Sequence, residues 1–131
     1  MDETDSLRQE IRSRIASSAG AMLQRVERDG MELTYAKDID HLYVMIGEPA
    51  PSLSFPLEDA MDSILLYDPE TYEIRGWEFP SFRQNYPRVK GTNASLDLFA
   101  RLTAHSDNVY IPGGVEQEQA EQALSELALV V

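Results

Sequence analysis

Asp38, Asp40 and His41 are the residues whose types and spacing come closest to a chemical site in this chain. They form the only stretch where an imidazole lies near two carboxylates, a suitable ligand set for a divalent transition metal. On a strand leaving the turn, however, Asp40 and His41 would point to opposite faces, and aspartate commonly forms turns by accepting hydrogen bonds from nearby backbone N–H groups. We therefore expect a structural turn. A small enzyme or a ligand- or metal-binding protein that uses these residues, or a cleft between sheet and helices, stays the alternative.

Two other groups could take part in acid–base chemistry. Glu58, Asp59 and Asp62 form an acidic cluster, and neighbouring carboxylates can split their pKa values and act as acid and base. No nearby residue completes such a site, so we expect these carboxylates to cap a turn or to be solvated. His105 lies near the end of a predicted helix, where an imidazolium complements the helix dipole. The sequence therefore predicts no catalytic, cofactor-binding or metal-ligating residue and favours a protein without enzymatic activity.

The lack of cysteine rules out several kinds of site. None of the 131 residues is Cys, which excludes disulfides, a thiolate nucleophile, a zinc ribbon and a cysteine-ligated iron–sulfur cluster. The chain also carries no Gly-x-Ser-x-Gly elbow, His-Glu-x-x-His helix, Walker loop or dinucleotide-binding glycine cluster. We expect no cofactor.

The net charge of the chain indicates which kinds of partner molecule are favoured. Eleven Lys and Arg residues against 23 Asp and Glu residues give a formal charge of −12, which repels phosphate backbones and anionic lipids. Nucleic-acid and membrane partners are therefore disfavoured, whereas a basic partner protein is favoured. The acidic start, MDETDSLRQE, does not resemble a secretory signal, and no apolar run approaches the roughly 18 residues of a membrane span. We expect a cytoplasmic protein.

We expect residues 1–131 to form a single domain with three parts, the first of which is helical. Apolar residues recur at helical spacing along residues 1–30 and predict one helix of roughly 22 residues that Gly30 ends. This apolar stripe comprises Leu7, Ile11, Ile15, Met22 and Val26. The residues expected to face water are Arg8, Arg12, Arg14, Gln24 and Arg25. Because the helix is long for the domain, we expect part of the stripe to meet a second copy of the chain.

Residues 31–80 alternate at the period of two that is typical of strands. The first hairpin runs from Met31 through the Asp38–Asp40 turn to a central strand, His41 to Ile46, and a short third strand ends at Pro56. The second hairpin joins Ser63–Tyr67 to Tyr72–Phe79 through a type I turn that starts at Asp68. A β-bulge at Gly76 would place four apolar residues on one buried face. They are Tyr72, Ile74, Trp77 and Phe79.

Residues 81–131 have a helical pattern. We expect one helical turn over 81–86 and then a helix that begins at Asn93 or Ser95. Residues 108–114 are expected to form a loop. A last helix follows, with Glu116 and Glu118 in its first turn. The predicted fold class is α+β. It is an antiparallel β-meander of about five strands built from two hairpins, flanked by a long N-terminal helix and two C-terminal helices.

The two hairpins resemble the small bacterial YuzE-like family, a domain of unknown function. In that family a first hairpin has a Tyr, an acidic turn and Leu-Tyr, as Tyr35, Asp38 and Leu42-Tyr43 do here. A second hairpin has a Tyr-Asp turn and a Gly-apolar-Glu-apolar run, which Tyr67-Asp68 and Gly76-Trp77-Glu78-Phe79 match. The resemblance covers about residues 31–80, although the second turn has no Gly where Thr71 and Tyr72 stand. It implies a small α+β domain with an antiparallel sheet that often self-associates, in some bacterial settings beside a toxin-like partner.

The function expected from these features is protein–protein interaction. We predict a non-enzymatic, self-associating module, most simply a two-fold dimer, whose acidic surface binds a basic partner protein of the toxin type. Helix 1 or the outer face of the sheet should supply the dimer interface.

Overall fold

The computed structural model describes residues 3–47, 50–57, 63–89, 99–104 and 106–112. Three helices and six strands are described in full. In chain order they are α1 (Glu3–Ser17), α2 (Ala19–Asp29), β1 (Met31–Ala36), β2 (His41–Ile46), β3 (Leu53–Leu57), β4 (Ser63–Tyr67), β5 (Ile74–Phe79), α3 (Phe82–Val89) and β6 (Asn108–Ile111). The strands form one antiparallel sheet in the order β3-β4-β5-β2-β1-β6, which confirms the predicted α+β class.

The first hairpin forms as the alternation predicts. Leu33 pairs with Val44, and both side chains are fully buried because they share the inner face of the sheet. A 3-10 turn, Lys37–Ile39, joins the strands, and Asp40 follows it in the left-handed region at φ 51°, a conformation that Asp adopts more readily than most residues.

The second hairpin contains a bulge, but at Arg75 rather than at the predicted Gly76, and its return strand begins at Ile74 rather than at Tyr72. Leu66 pairs with Gly76 and Tyr67 pairs with Ile74, so Arg75 is the extra residue on β5. Ile74, Trp77 and Phe79 are consequently all buried on the inner face. In the turn, the Asp68 carboxylate accepts hydrogen bonds from Glu70 N–H at 2.7 Å and Thr71 N–H at 2.9 Å.

The order of the strands is not the predicted meander. The second hairpin places β5 rather than β3 beside β2, so β3 lies at one edge of the sheet. β3 runs through Pro56 instead of ending there, which an edge position tolerates because proline lacks only the N–H donor. At the other edge β6 pairs with β1. β6 is a sixth strand within residues 108–114, where a loop was expected.

The expectation of one long N-terminal helix is also wrong, because the segment forms two helices that break at Ser18. Ser18 Oγ lies 2.8 Å from the carbonyl oxygen of Ile15 and 3.0 Å from that of Tyr72. Such side-chain bonds to the backbone compete with the helical ladder. Ile15, Met22 and Val26 are fully buried in this chain, whereas Leu7 is 58% exposed. The middle and end of the predicted stripe therefore cover the chain's own core.

The C-terminal part agrees only partly with the predicted pair of helices. α3 is longer than the single turn expected over 81–86. Residues 99–102 are helical, with Phe99 and Ala100 buried, whereas the predicted starts of this helix, Asn93 or Ser95, lie outside the described residues. The last predicted helix, with Glu116 and Glu118, lies outside the described residues. Among the helices that the structure describes, none has the length and apolar content needed to cross a membrane.

Candidate functional site

Asp40 has a structural role at the start of α3. Its Oδ1 accepts hydrogen bonds from the Tyr35 hydroxyl at 2.5 Å and Arg83 N–H at 2.9 Å, and its Oδ2 accepts one from Gln84 N–H at 3.2 Å. The carboxylate thus satisfies N–H groups that the first turn of a helix leaves unpaired. Burial acts to raise the pKa of Asp40, but these hydrogen bonds outweigh burial and hold that pKa below its ordinary value.

The structure does not bring Asp38 and His41 to the Asp40 carboxylate. His41 lies on β2 with Nε2 3.0 Å from Glu78 Oε1, and its ring stacks on Tyr43 with 4.5 Å between centroids. Asp38 is exposed on the turn. Within the described ranges no group of three or more His, Asp or Glu residues could hold a metal ion. The cluster of Glu58, Asp59 and Asp62, and likewise His105, lies outside these ranges.

A different set of residues lines a groove of about 720 Å³ at one end of the sheet. We call it the arginine groove. Its lining consists of Arg25, Arg28, Asp29, Glu32, Gly47, Ala50, Arg75 and Tyr110. The antiparallel arrangement brings these residues together, because β1 and β5 begin where β2 and β6 end. The C-terminal end of α2 lies at the same end of the sheet.

Two glycines allow the close approach of these elements. Gly30 ends α2 as predicted, at φ 78°, and a Cβ there would lie 2.7 Å from the carbonyl oxygen of Ile111 and 2.8 Å from the Tyr110 hydroxyl. Gly47 follows β2 at φ 70°, and a Cβ there would lie 3.3 Å from Asp29 Oδ2. Both positions have the backbone conformation that favours glycine, so these residues let β6 and the end of β2 close around α2.

Arg25 is fixed between two strand ends. Its Nη1 donates to the carbonyl oxygen of Ile74 at 3.1 Å and its Nη2 to that of Ile46 at 3.3 Å. The side chain is 12% exposed and lies 3.9 Å from Glu73, which corrects the expectation that Arg25 faces water. Burial, followed by the charge of Arg75, lowers the pKa of Arg25. A guanidinium held in this way adds a fixed positive charge to the groove.

Arg75 is the bulged residue of β5 and is also held in place. It forms an ion pair with Asp68 across the turn, and its hydrogen bond to Asp68, followed by the Thr71 and Glu70 N–H groups, holds the pKa of that carboxyl far below its ordinary value. Arg75 Nε is buried without a hydrogen-bond partner among the described residues. The bulge therefore sends a second cation to the side of the groove.

Arg28 is the accessible cation of the groove. Its side chain is 71% exposed, and it holds the neighbouring Asp29 through Nε–Oδ1 at 3.0 Å and Nη2–Oδ2 at 2.9 Å. These hydrogen bonds lower the pKa of Asp29. Because an exposed ion pair is weak, an incoming carboxylate or phosphate can compete with Asp29 for the guanidinium.

The outer face of the sheet carries a second feature. Tyr43 and Met45 on β2 and Ile64 and Leu66 on β4 flank β5, where Met45 and Leu66 both pair with Gly76. These four side chains are only half-buried. We call them the outer apolar strip, which consists of two rows separated by Gly76 and Glu78 of β5.

No protein-family model, curated protein or solved structure was found to match the chain, so the resemblance of residues 31–80 to the YuzE-like family stays a prediction.

Proposed function

We propose that the protein binds a small anionic molecule in the arginine groove. The observation that carries the proposal is the gathering of Arg25, Arg28 and Arg75 in one groove, in a chain with only 11 Lys and Arg residues and a net charge of −12. Each of these arginines has a carboxylate neighbour, which is Glu73 for Arg25, Asp29 for Arg28 and Asp68 for Arg75. The groove therefore gathers guanidinium donors in an acidic protein rather than a net positive charge. The proposal belongs to the ligand-binding alternative with a cleft between sheet and helices, with different residues from Asp38, Asp40 and His41.

The volume and the lining support this function. A groove of about 720 Å³ lies within the usual range of small-molecule sites, roughly 300 to 1,000 Å³. A guanidinium presents donors in a planar fork that matches carboxylate and phosphate oxygens. Burial lowers the pKa of Arg25 and repulsion by Arg75 adds to this effect, and a bound anion would relieve that repulsion.

The arginines would have different tasks. Arg25 donates to two carbonyl oxygens and Arg75 is paired with Asp68, so neither side chain is free to turn toward a ligand. Among the contacts described, Arg28 is bound only by the exposed Asp29 carboxylate. Its guanidinium can therefore turn toward a ligand. We therefore assign direct contact with the anion to Arg28.

A titration with inorganic phosphate tests this function. We expect saturable binding, and we expect Arg28→Gln to weaken it by about tenfold because a charge-assisted hydrogen bond is lost. Arg14→Gln is the matched control, since Arg14 is also an exposed arginine in an ion pair, with Glu10 at 3.2 Å. The proposal fails if phosphate does not bind or if the two variants bind it equally well.

Self-association is a second candidate function, and the outer apolar strip favours it. The half-buried apolar residues of β2 and β4 lie on either side of β5, and we propose that they form a patch that a second copy of the chain covers. The fully buried Ile15, Met22 and Val26 leave the outer face as the stronger of the two interfaces considered. The acidic surface that would attract a basic partner protein stays a prediction.

Sedimentation velocity at micromolar concentration tests the dimer. Leu66→Lys places a charge in the outer apolar strip and should leave a monomer. Leu7→Lys changes an exposed residue of α1 and should leave the dimer intact. A monomeric wild-type chain, or a dimer lost only in Leu7→Lys, would rule out the outer apolar strip as the interface.

A further inference from the structure

We infer that the ligand of the arginine groove is a planar ring joined to one oxyanion group, with the ring stacked on Tyr110. This inference rests on the proposed function and adds the class of ligand. It is carried by the size of the groove, by the exposed and anchored ring of Tyr110, and by the two carboxylates in the lining.

The groove is much larger than an inorganic anion. One water molecule takes up about 30 Å³ of liquid volume, so a space of about 720 Å³ would hold many waters, of which a phosphate or carboxylate group displaces only a few. A ligand that fills the groove therefore has a second group besides the anion. That group contacts lining residues other than Arg28.

Tyr110 provides the surface for this second part. It lies on β6 at the rim of the groove and is 61% exposed, unusually so for a large aromatic residue. Its hydroxyl donates to the carbonyl oxygen of Asp29 at 3.1 Å, which anchors the ring beside Arg28. An aromatic ring held in place loses little entropy when a ligand stacks on it.

The acidic residues of the lining limit the charge of the ligand. Asp29 and Glu32 both line the groove, and Glu32 pairs with Tyr110 across β1 and β6. Their carboxylates would repel a second anionic group, so a polyphosphate or a dicarboxylate is disfavoured. A ring with one phosphate or one carboxylate satisfies Arg28 and leaves the ring next to Tyr110.

Two pairs of probes test the inference on the whole chain. We would compare inorganic phosphate with phenyl phosphate, and acetate with benzoate, by chemical-shift titration. Within each pair, the probe that carries the ring should bind about tenfold more tightly than the probe without it. The pair with the higher affinity shows whether the oxyanion group is a phosphate or a carboxylate. Tyr110→Leu should abolish that advantage, measured as the ratio of the two affinities within each pair. Tyr110→Phe keeps the ring, loses the hydroxyl and should keep most of the advantage.

The outcomes separate this inference from the proposed function. If phosphate binds but the ring brings no advantage, or if the advantage survives Tyr110→Leu, the ring site is wrong and the anion site stands. If none of the four probes binds, both are wrong. A ring advantage that disappears in Tyr110→Leu and persists in Tyr110→Phe supports the inference, because loss of the hydroxyl anchor alone would affect both variants.

Discussion

Gly76 lies against the backbone of β2, where an added Cβ would collide with the carbonyl oxygen of Val44. That atom belongs to the backbone of a central strand, so the collision cannot be relieved by moving a flexible side chain. The bulge beside Gly76 also keeps Trp77 and Phe79 on the buried face. The residue thus serves both strand pairing and the core.

Gly76→Ala should therefore lower the free energy of unfolding by about 1 to 3 kcal/mol, the usual cost of overpacking. Urea denaturation followed by tryptophan fluorescence measures it. Ser54→Ala is the control, since Ser54 is an exposed residue of β3 on the same sheet. Equal stability of Gly76→Ala and the wild-type chain would show that β2 and β5 are not packed as described.

Asp40 gives a prediction of pH dependence. Its pKa is lowered in the folded chain, so its contribution to stability is present above the unfolded pKa, about 3.9, and is lost as the pH falls through the folded value. Asp40→Asn should cost about 1 kcal/mol at pH 7, and the difference from wild type should shrink below about pH 4. Denaturation at several pH values measures this, with the exposed Asp38→Asn as control. A difference independent of pH would contradict the capping role of the charged carboxylate.

Among the elements, the two hairpins were predictable because alternation and turn chemistry act locally. Alternation over Met31–Ala36 and the Asp68 turn define their strands without reference to the rest of the fold. The break at Ser18 was not predictable, because a carbonyl of distant Tyr72 contributes to it. Nor was β6, whose four residues form a strand only by pairing with β1.

The arginine groove could not be predicted from the sequence for a similar reason. Helical spacing places Arg25 on the polar side of α2, but its long side chain reaches the carbonyl oxygens of Ile74 and Ile46. These two carbonyls belong to strand ends that meet only in the folded sheet. Gly30 and Gly47 were the signals available in the sequence, and neither indicates a ligand by itself.

The position of each strand in the sheet predicts its local stability. β2 and β5 are interior strands, with neighbours on both sides, whereas β6 has four residues and lies at an edge. Amide hydrogens of Val44 and Trp77 should therefore exchange at least about tenfold more slowly than those of Val109 and Tyr110. Hydrogen exchange followed by NMR measures these rates. Equal protection of β6 and β2 would mean that β6 is part of the stable core.

At the scale of the whole molecule, charge and topology act together. The chain carries a net charge of −12, yet the end of the sheet next to α2 gathers three of its cations around one groove. β1, β2, β5 and β6 all contribute an end to that groove, so the fold rather than any local motif creates it. We accordingly propose this end of the sheet as the anion site.

A titration of the ¹⁵N-labelled protein with inorganic phosphate, followed by ¹H–¹⁵N correlation NMR, decides whether an anion binds at this end of the sheet. We expect saturable shifts confined to the amides that surround the groove, those of Asp29, Gly30, Gly47 and Tyr110, with a midpoint at about tenfold higher phosphate concentration in Arg28→Gln. Saturable shifts centred on the opposite end of the sheet, near Asp40, or no saturable shifts at all, would contradict the proposal.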